Sequence, residues 1–159
     1  MKFKNILLLV KCIAIPLLVG GASAFLTSGA MSMFAEVNKP PLSPPGWLFP
    51  VVWTILYTLM GIASYLVVVS GAEEKKISKA LTLYGYQLAV NFFWSIFFFN
   101  FQWYLFSFFW LLLLWVLIVL TIRAFYEISK PAAYLIIPYL VWVTFAGYLT
   151  LGIWYLNRG

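Results

Sequence analysis

From Ala80 to Ile122 the chain carries no charged residue. A single helix from Ala80 to Phe125 would be about 69 Å long at 1.5 Å per residue, twice the ~30 Å hydrocarbon core of a bilayer. The stretch must fold back on itself. The polar pair Asn100 and Gln102 is where the turn is expected, which leaves apolar spans at about 80–99 and 103–123. Lipid has to be the solvent here, and the rest of the chain agrees. It is 65% hydrophobic and 9% charged, against ~45–50% and ~25% for a soluble domain.

Three more runs reach the ~20 residues that a crossing needs. The first covers about 5–26. Its start imitates a secretory signal, with Lys2 and Lys4, an apolar stretch, and Ala22-Ser23-Ala24 as a cleavage-like site. Lys11 interrupts the apolar stretch and hydrophobicity continues to Leu26, so a retained helix is expected. Gly20 to Ala24 would give it a small-residue face for close packing. The second run covers about 47–70 and the last about 131–156, opened by Ser129 as N-cap and Pro131 in the first turn. Pro138 lies inside it and frees the carbonyl of Tyr134. Between the first two runs lies a polar segment, 27–46, with Glu36, Asn38, Lys39 and the run Pro40-Pro41-Leu42-Ser43-Pro44-Pro45-Gly46. It reads as an ordered loop and not a helix. Residues 71–79 read as a short charged loop. The expected fold is an all-α integral membrane protein, one domain over residues 1–159 built as a five-transmembrane-helix bundle.

The inventory excludes much chemistry. There is no His and no Asp, and Cys12 is the one cysteine. Zinc and non-haem iron sites need clusters of such ligands, so no metal is expected. A Ser-His-Asp triad and a Cys-His pair are ruled out. The net charge of +6 does not indicate nucleic acid, because the basic residues sit at the ends of apolar runs. There they orient a membrane protein. Lys2, Lys4, Lys75, Lys76, Lys79, Arg123 and Lys130 fall on one side, Lys39 and Arg158 on the other. The expectation is a cytoplasmic N-terminus and an outside C-terminus, in a bacterial cytoplasmic membrane.

Two features suggest more than a structural bundle. Of eight Trp residues, Trp47, Trp103 and Trp154 fall near span ends, but Trp53, Trp94, Trp110, Trp115 and Trp142 lie deeper. A deep indole must pair its N–H or line a cavity. Gln87 and Asn91, four apart, share a helix face that Trp94 extends. Amides at such depth face the bundle interior, toward a partner helix or a ligand. Measured from the outer face, Trp53 and Tyr57 lie about 9 and 15 Å down, Asn91 about 13 Å, Ala146 about 15 Å and Trp142 about 21 Å. These groups converge on one layer, in the form expected of a small-molecule site. No charged residue sits at that depth, which argues against an ion-coupled pump.

The motifs resemble one family. Lys39-Pro40 with Pro44-Pro45-Gly46-Trp47 and Val52-Trp53-Thr54-Ile55-Leu56-Tyr57 is similar to the first loop and second helix of the tryptophan-rich sensory protein or translocator protein family (TspO/MBR, the peripheral benzodiazepine receptor family). Gln87-Leu88-Ala89-Val90-Asn91-Phe92-Phe93-Trp94-Ser95 resembles its third helix. Pro138 to Ala146 and Ile153-Trp154-Tyr155-Leu156-Asn157 resemble its fifth. The resemblance runs the length of the chain. It implies a five-helix bundle, often a homodimer, whose pocket is closed by the first loop and takes porphyrins such as protoporphyrin IX or hydrophobic drug-like molecules. Positions matching the family's pocket are Trp53, Tyr57, Asn91, Trp94, Trp142 and Ala146. Gln87 and Phe145 are added as ligand-binding candidates, and Lys39 and Trp47 as residues of the mouth. In one departure, Leu149-Thr150 stands where the family usually has Leu-Asn. Leu151, Tyr155 and Arg158 fit a loose sterol pattern.

The function implied is a membrane receptor for tetrapyrroles, acting in sensing, sequestration or transport, with the lipid bilayer as surroundings and no resident cofactor. Trp and Tyr rings would stack on the macrocycle, Asn91 and Gln87 would bond to its edge, and Lys39 or Arg158 would pair with propionates. An alternative is light- and oxygen-dependent porphyrin degradation, with Trp53 and Trp142 as the oxidisable candidates. A second alternative is a regulatory membrane partner without a small ligand.

Overall fold

The computed structural model describes residues 3–158, with side chains from residue 5. Of the orienting lysines, Lys2 and the side chain of Lys4 lie outside the described residues. Six helices run in order: α1 Phe3–Thr27, α2 Met31–Glu36, α3 Leu48–Val68, α4 Glu74–Ser95, α5 Tyr104–Ile128 and α6 Lys130–Asn157. Among the described residues there is no strand.

Five of the helices are long. Four stretches, 5–36, Leu48–Val68, Tyr104–Ile128 and Lys130–Asn157, are long and apolar enough to cross a membrane. The five long helices fit the expected bundle, and four of them reach the length and apolarity of a span. The helix left out is α4, whose first two turns carry Glu74, Lys75, Lys76 and Lys79 and whose interior carries Gln87 and Asn91.

Two segments read as loops are partly helical. Residues 27–46 read as an ordered loop and not a helix, yet a 3-10 turn over Ser28–Ala30 leads straight into α2. Prolines forbid helix only from residue 39 onward, because the first of them is Pro40. Upstream of it, Thr27 and Ser28 return their hydroxyl protons to the carbonyls of Ser23 and Phe25 at 2.9 and 2.8 Å and keep the chain coiled. The charged residues 74–79 are likewise the start of α4. Gly71 turns the chain at φ 76°, and the Glu73 carbonyl accepts from the N–H groups of Lys76 and Ile77. A negative residue in the first turn suits the helix dipole.

The end of α4 departs from helical regularity. Residues Ile96–Asn100 form a π turn. The N–H of Phe101 donates to the Ile96 carbonyl, and Gln102 then takes a left-handed φ of 56° as the chain reverses into α5. At the next reversal Ser129 caps α6, its Oγ accepting from the Ala132 N–H at 3.4 Å.

The long helices form a ring. α1 packs on α3, α3 on α6, α6 on α5, α5 on α4, and α4 returns to α1. Met60, Ala63, Val67, Leu114, Ile118, Phe125, Ile136 and Tyr139 fill its centre. In lipid no hydrophobic drive pulls helices together, so close packing must hold them. Gly61 shows this at the α1–α3 crossing. A Cβ there would run into the backbone of Ile13 and the Cys12 carbonyl.

Candidate ligand cavity

The ring is tight across its centre and opens at the end where α2 lies. There a cavity of about 310 Å³ is walled by α1, α2, α3, the α4 end and α6. That volume is at the lower edge of the ~300–1,000 Å³ range of small-molecule sites.

Each wall follows from helical spacing. On α3, Phe49, Trp53 and Tyr57 recur at intervals of four and so share a face. Trp53 stacks on Tyr57 with centroids 5.4 Å apart and planes at 25°. On α6, Trp142, Ala146, Leu149, Thr150 and Ile153 make the facing wall. The Trp142 ring stands at 88° to Trp53, 6.5 Å away, and 5.8 Å from Phe49. Ala146 leaves the room that a larger side chain would take. α1 supplies Gly20, Ser23, Ala24 and Thr27, and Gly20 lets the Tyr57 ring lie directly against the helix.

The α4 end builds a further wall. Trp94 stacks on Phe98 at 5.0 Å and 17°, and Phe99 meets Phe98 edge-on at 4.8 Å. Trp94 and Phe98, and Ser95 and Phe99, are each four apart, and all four reach the cavity where the helix passes into the π turn. π turns are frequent at functional sites. From above, α2 lowers Met31 and Phe34 onto the opening. Phe34 lies 6.2 Å from Phe49 and 5.1 Å from Phe99, edge-on to both.

No lining residue is charged. Thr27 and Thr150 donate to their own helix carbonyls, Ser23 at 2.9 Å and Ala146 at 2.7 Å, so they turn little polarity inward. At Thr150, where the resemblance implies Asn, the wall therefore offers a methyl group and a hydroxyl whose proton is already used. Trp94 differs: its indole N–H is buried without a partner. Among the described residues no group of three His, Cys, Asp or Glu converges. The cavity can hold a flat apolar molecule by stacking, and it has no acid or base to act on one.

Of the residues singled out from the sequence, Trp53, Tyr57, Trp94, Trp142 and Ala146 come together on these walls. Gln87, Asn91, Phe145, Lys39 and Trp47 do not. Asn91 and Gln87 are buried to 1% exposure in the core. Asn91 Nδ2 donates to the Tyr139 hydroxyl at 2.9 Å, and Gln87 Nε2 approaches the Met60 sulfur at 3.9 Å. Tyr139 in turn stands edge-on to Trp53 at 6.1 Å, so the amides support the cavity from behind. Phe145 packs beside Trp142 and Tyr148. Trp47 is exposed. Lys39 is committed to backbone carbonyls of α2. The other two deep indoles are satisfied elsewhere: Trp110 donates to the Val90 carbonyl and Trp115 to Thr144.

The sequence reading missed Phe34, Phe49, Phe98 and Phe99. Phe49 was open to discovery, one turn before Trp53 on the same face. Phe98 was open in the same way, one turn after Trp94; Phe34 depends on α2, and Phe99 on which neighbours the end of α4 meets, and apolar periodicity announces neither.

Comparison with known proteins bears on this arrangement. The model of the TspO/MBR family matches residues 12–156. The tryptophan-rich protein TspO of Chlorobaculum tepidum is 43% identical over 155 residues, 97% of this chain and 98% of that one. The protein of the same name from Archaeoglobus fulgidus is 40% identical, over 96% of this chain and 99% of its own. The translocator protein of Bos taurus is 36% identical, over 91% of this chain and 86% of its own.

Proposed function

Because the chain belongs to the TspO/MBR family of membrane proteins, we propose that it is a multi-pass membrane receptor for flat, conjugated, hydrophobic molecules, with porphyrins of the protoporphyrin IX type first among them. The observation that carries this reading is the pair of indoles at right angles, Trp53 and Trp142, with Tyr57 stacked behind one of them. A planar ligand beside one ring meets the edge of the other, and both arrangements are favourable for aromatic groups. The name of one relative, the translocator protein of Bos taurus, supports translocation as the output. Drug-like aromatic ligands would use the same walls.

The proposed placement has all five long helices crossing a bacterial cytoplasmic membrane as one domain, N-terminus inside. The lysines of the first turns of α4, with Arg123 and Lys130, support it. The cavity then opens outward under α2. Lys39 is taken by carbonyls, so Arg158, lying over the Tyr155 ring at 4.1 Å, is the cation left to meet an acidic ligand edge. A homodimer would use an outward apolar face such as that of α1, where Leu18 and Phe25 are exposed.

The test is quenching of Trp fluorescence by protoporphyrin IX in detergent, in the dark. Saturable quenching that Trp53→Ala with Trp142→Ala abolishes is the expected result. Equal quenching in parent and variant would sink the reading and favour a regulatory partner without a small ligand. A second reading, degradation of the porphyrin under light and oxygen, is favoured by oxidisable indoles in a cavity without acid or base. Repeating the titration under light separates the two. Loss of the main porphyrin band only with the parent protein supports degradation, and an intact band with saturable quenching leaves binding alone.

A further inference from the structure

The strap that follows α2 is fastened to the last turns of α6, 119 residues away, by contacts to its backbone. The side-chain amide of Asn157 clasps Asn38 in both directions. It accepts from the Asn38 N–H at 3.1 Å and donates to the Asn38 carbonyl at 2.8 Å. A further bond from Nδ2 to the Ile153 carbonyl, 2.7 Å, holds the amide in place. Two residues on, Pro40 is buried against Gly152, where an added Cβ would collide with the proline ring. Then the Tyr148 hydroxyl donates to the Pro41 carbonyl at 2.7 Å.

Between the clasp and the cavity stands Lys39. Its ammonium turns back onto the carbonyls of Phe34, Ala35 and Val37 at 2.8, 3.3 and 3.2 Å. Phe34 and Ala35 lie in the last turn of α2 and Val37 is its C-cap; the Phe34 carbonyl also accepts from the Val37 N–H at 3.3 Å. The ammonium also lies 4.7 Å over the Phe34 ring. Phe34 is the aromatic group that α2 places over the cavity. A continuous chain of contacts therefore runs from Asn157 through Asn38 and Lys39 to Phe34, and neither Asn157, Asn38 nor Lys39 lines the cavity.

We propose that the Asn157–Asn38 clasp, with Lys39, is a latch that sets how fast ligand enters and leaves the cavity beneath Phe34. This rests on the ligand-binding function proposed above. The clasp is well suited to the task. Its bonds are exposed to water, which competes for them, so each adds little net stability and the strap opens more readily than the helices. Opening releases α2 without breaking the ring of long helices. Asn157, Asn38 and Lys39 are positioning residues, acting on the ligand through Phe34.

The experiment is stopped-flow quenching with protoporphyrin IX on the full chain in detergent, reading association and dissociation rates separately. Asn157→Ala should raise both rates about tenfold, or about 1.4 kcal/mol off the opening barrier, with Kd moved less than about threefold. Asn157→Asp, which keeps the acceptor and loses the donor, should fall between. Tyr148→Phe cuts the second tether, keeps its ring packing, and should accelerate both rates by about threefold. It carries the test if Asn157→Ala fails to fold. Saturable binding with both rates unchanged in these variants overturns the latch. So does a lower Tm with unchanged rates, the mark of a merely structural contact. Absence of saturable quenching in the parent protein would overturn the binding function itself.

Discussion

Two hollows flank α6, the cavity of about 310 Å³ and a groove of about 360 Å³ between α5 and α6, and they differ in how they are built. The groove is lined by Phe108, Leu111, Leu112, Trp115, Val143, Thr144, Gly147, Tyr148 and Leu151, residues of two neighbouring helices. Lipid chains can reach it. An apolar molecule that leaves lipid for such a groove gains little, because lipid is as apolar as the wall. The cavity draws on residues from Gly20 to Ile153 and on helices from both ends of the chain. It offers stacked and perpendicular rings, a buried indole N–H and a lid. In a membrane, selectivity comes from enclosure and ring geometry more than from apolarity.

Adjacent residues of α6 test that contrast most severely. Ala146→Phe would place a ring inside the cavity, and we expect protoporphyrin IX affinity to fall about a hundredfold, ~2.7 kcal/mol. Gly147→Ala points toward the groove, where the new Cβ meets Leu111 at 3.5 Å, an ordinary contact. It should change affinity less than about twofold, the effect of a neutral surface change. Titration of Trp quenching measures both. If the two variants weaken binding alike, the groove belongs to the site and the contrast fails.

Stability should show the next largest difference. Gly61→Ala forces α1 away from α3, because the Cβ meets backbone that cannot swing aside. It should cost about 1–3 kcal/mol, the range for overpacking, seen as a lower thermal midpoint in detergent. Gly147→Ala, at the α5–α6 seam, should leave the midpoint almost where it is.

Replacing both Trp53 and Trp142 by Phe sharpens the chemistry. Phenyl rings keep most of the stacking, so affinity should fall only about tenfold, given ~0.5–1.5 kcal/mol per aromatic contact. Any light-dependent porphyrin loss should vanish. Loss that persists in the double variant would remove the indoles from that reaction. Trp115→Phe, in the groove, should alter neither.

Asn91→Ala should affect stability more than binding. It strands the Tyr139 hydroxyl in the core, at a cost of about 1–3 kcal/mol of stability. Affinity should change less than about threefold, because Asn91 stands behind the wall. A larger loss of affinity with an unchanged midpoint would put the amide in contact with the ligand and redraw the walls of the cavity.

Several site residues were legible because they obey one helix. Trp53 and Tyr57, four apart, and Trp142 and Ala146, four apart, announce their shared faces. Gln87 and Asn91 obeyed the same rule, yet they do not line the cavity. Spacing shows that two residues share a face, but it does not say which neighbour that face meets. Here it meets Met60 and Tyr139. The partners of Lys39 were hidden for a related reason. A cation beside a polar loop looks free until the end of α2, formed just upstream, presents carbonyls to it.

The sequence by itself determined that this chain lives in lipid, that it is helical, and that it belongs with the TspO/MBR proteins. Each follows from composition, from run length against bilayer thickness, or from residues in a fixed order. Only the tertiary structure decided where the cavity is, because its walls need the packing that sets Phe98 and Phe99 of the α4 end against the other helices and the α2 segment that lays Phe34 on top. It also decided that the buried amides brace the site from behind. Local spacing cannot settle either point: which surfaces meet is chosen by the packing of the whole ring, where Gly61 and Gly20 let backbone and ring come into contact.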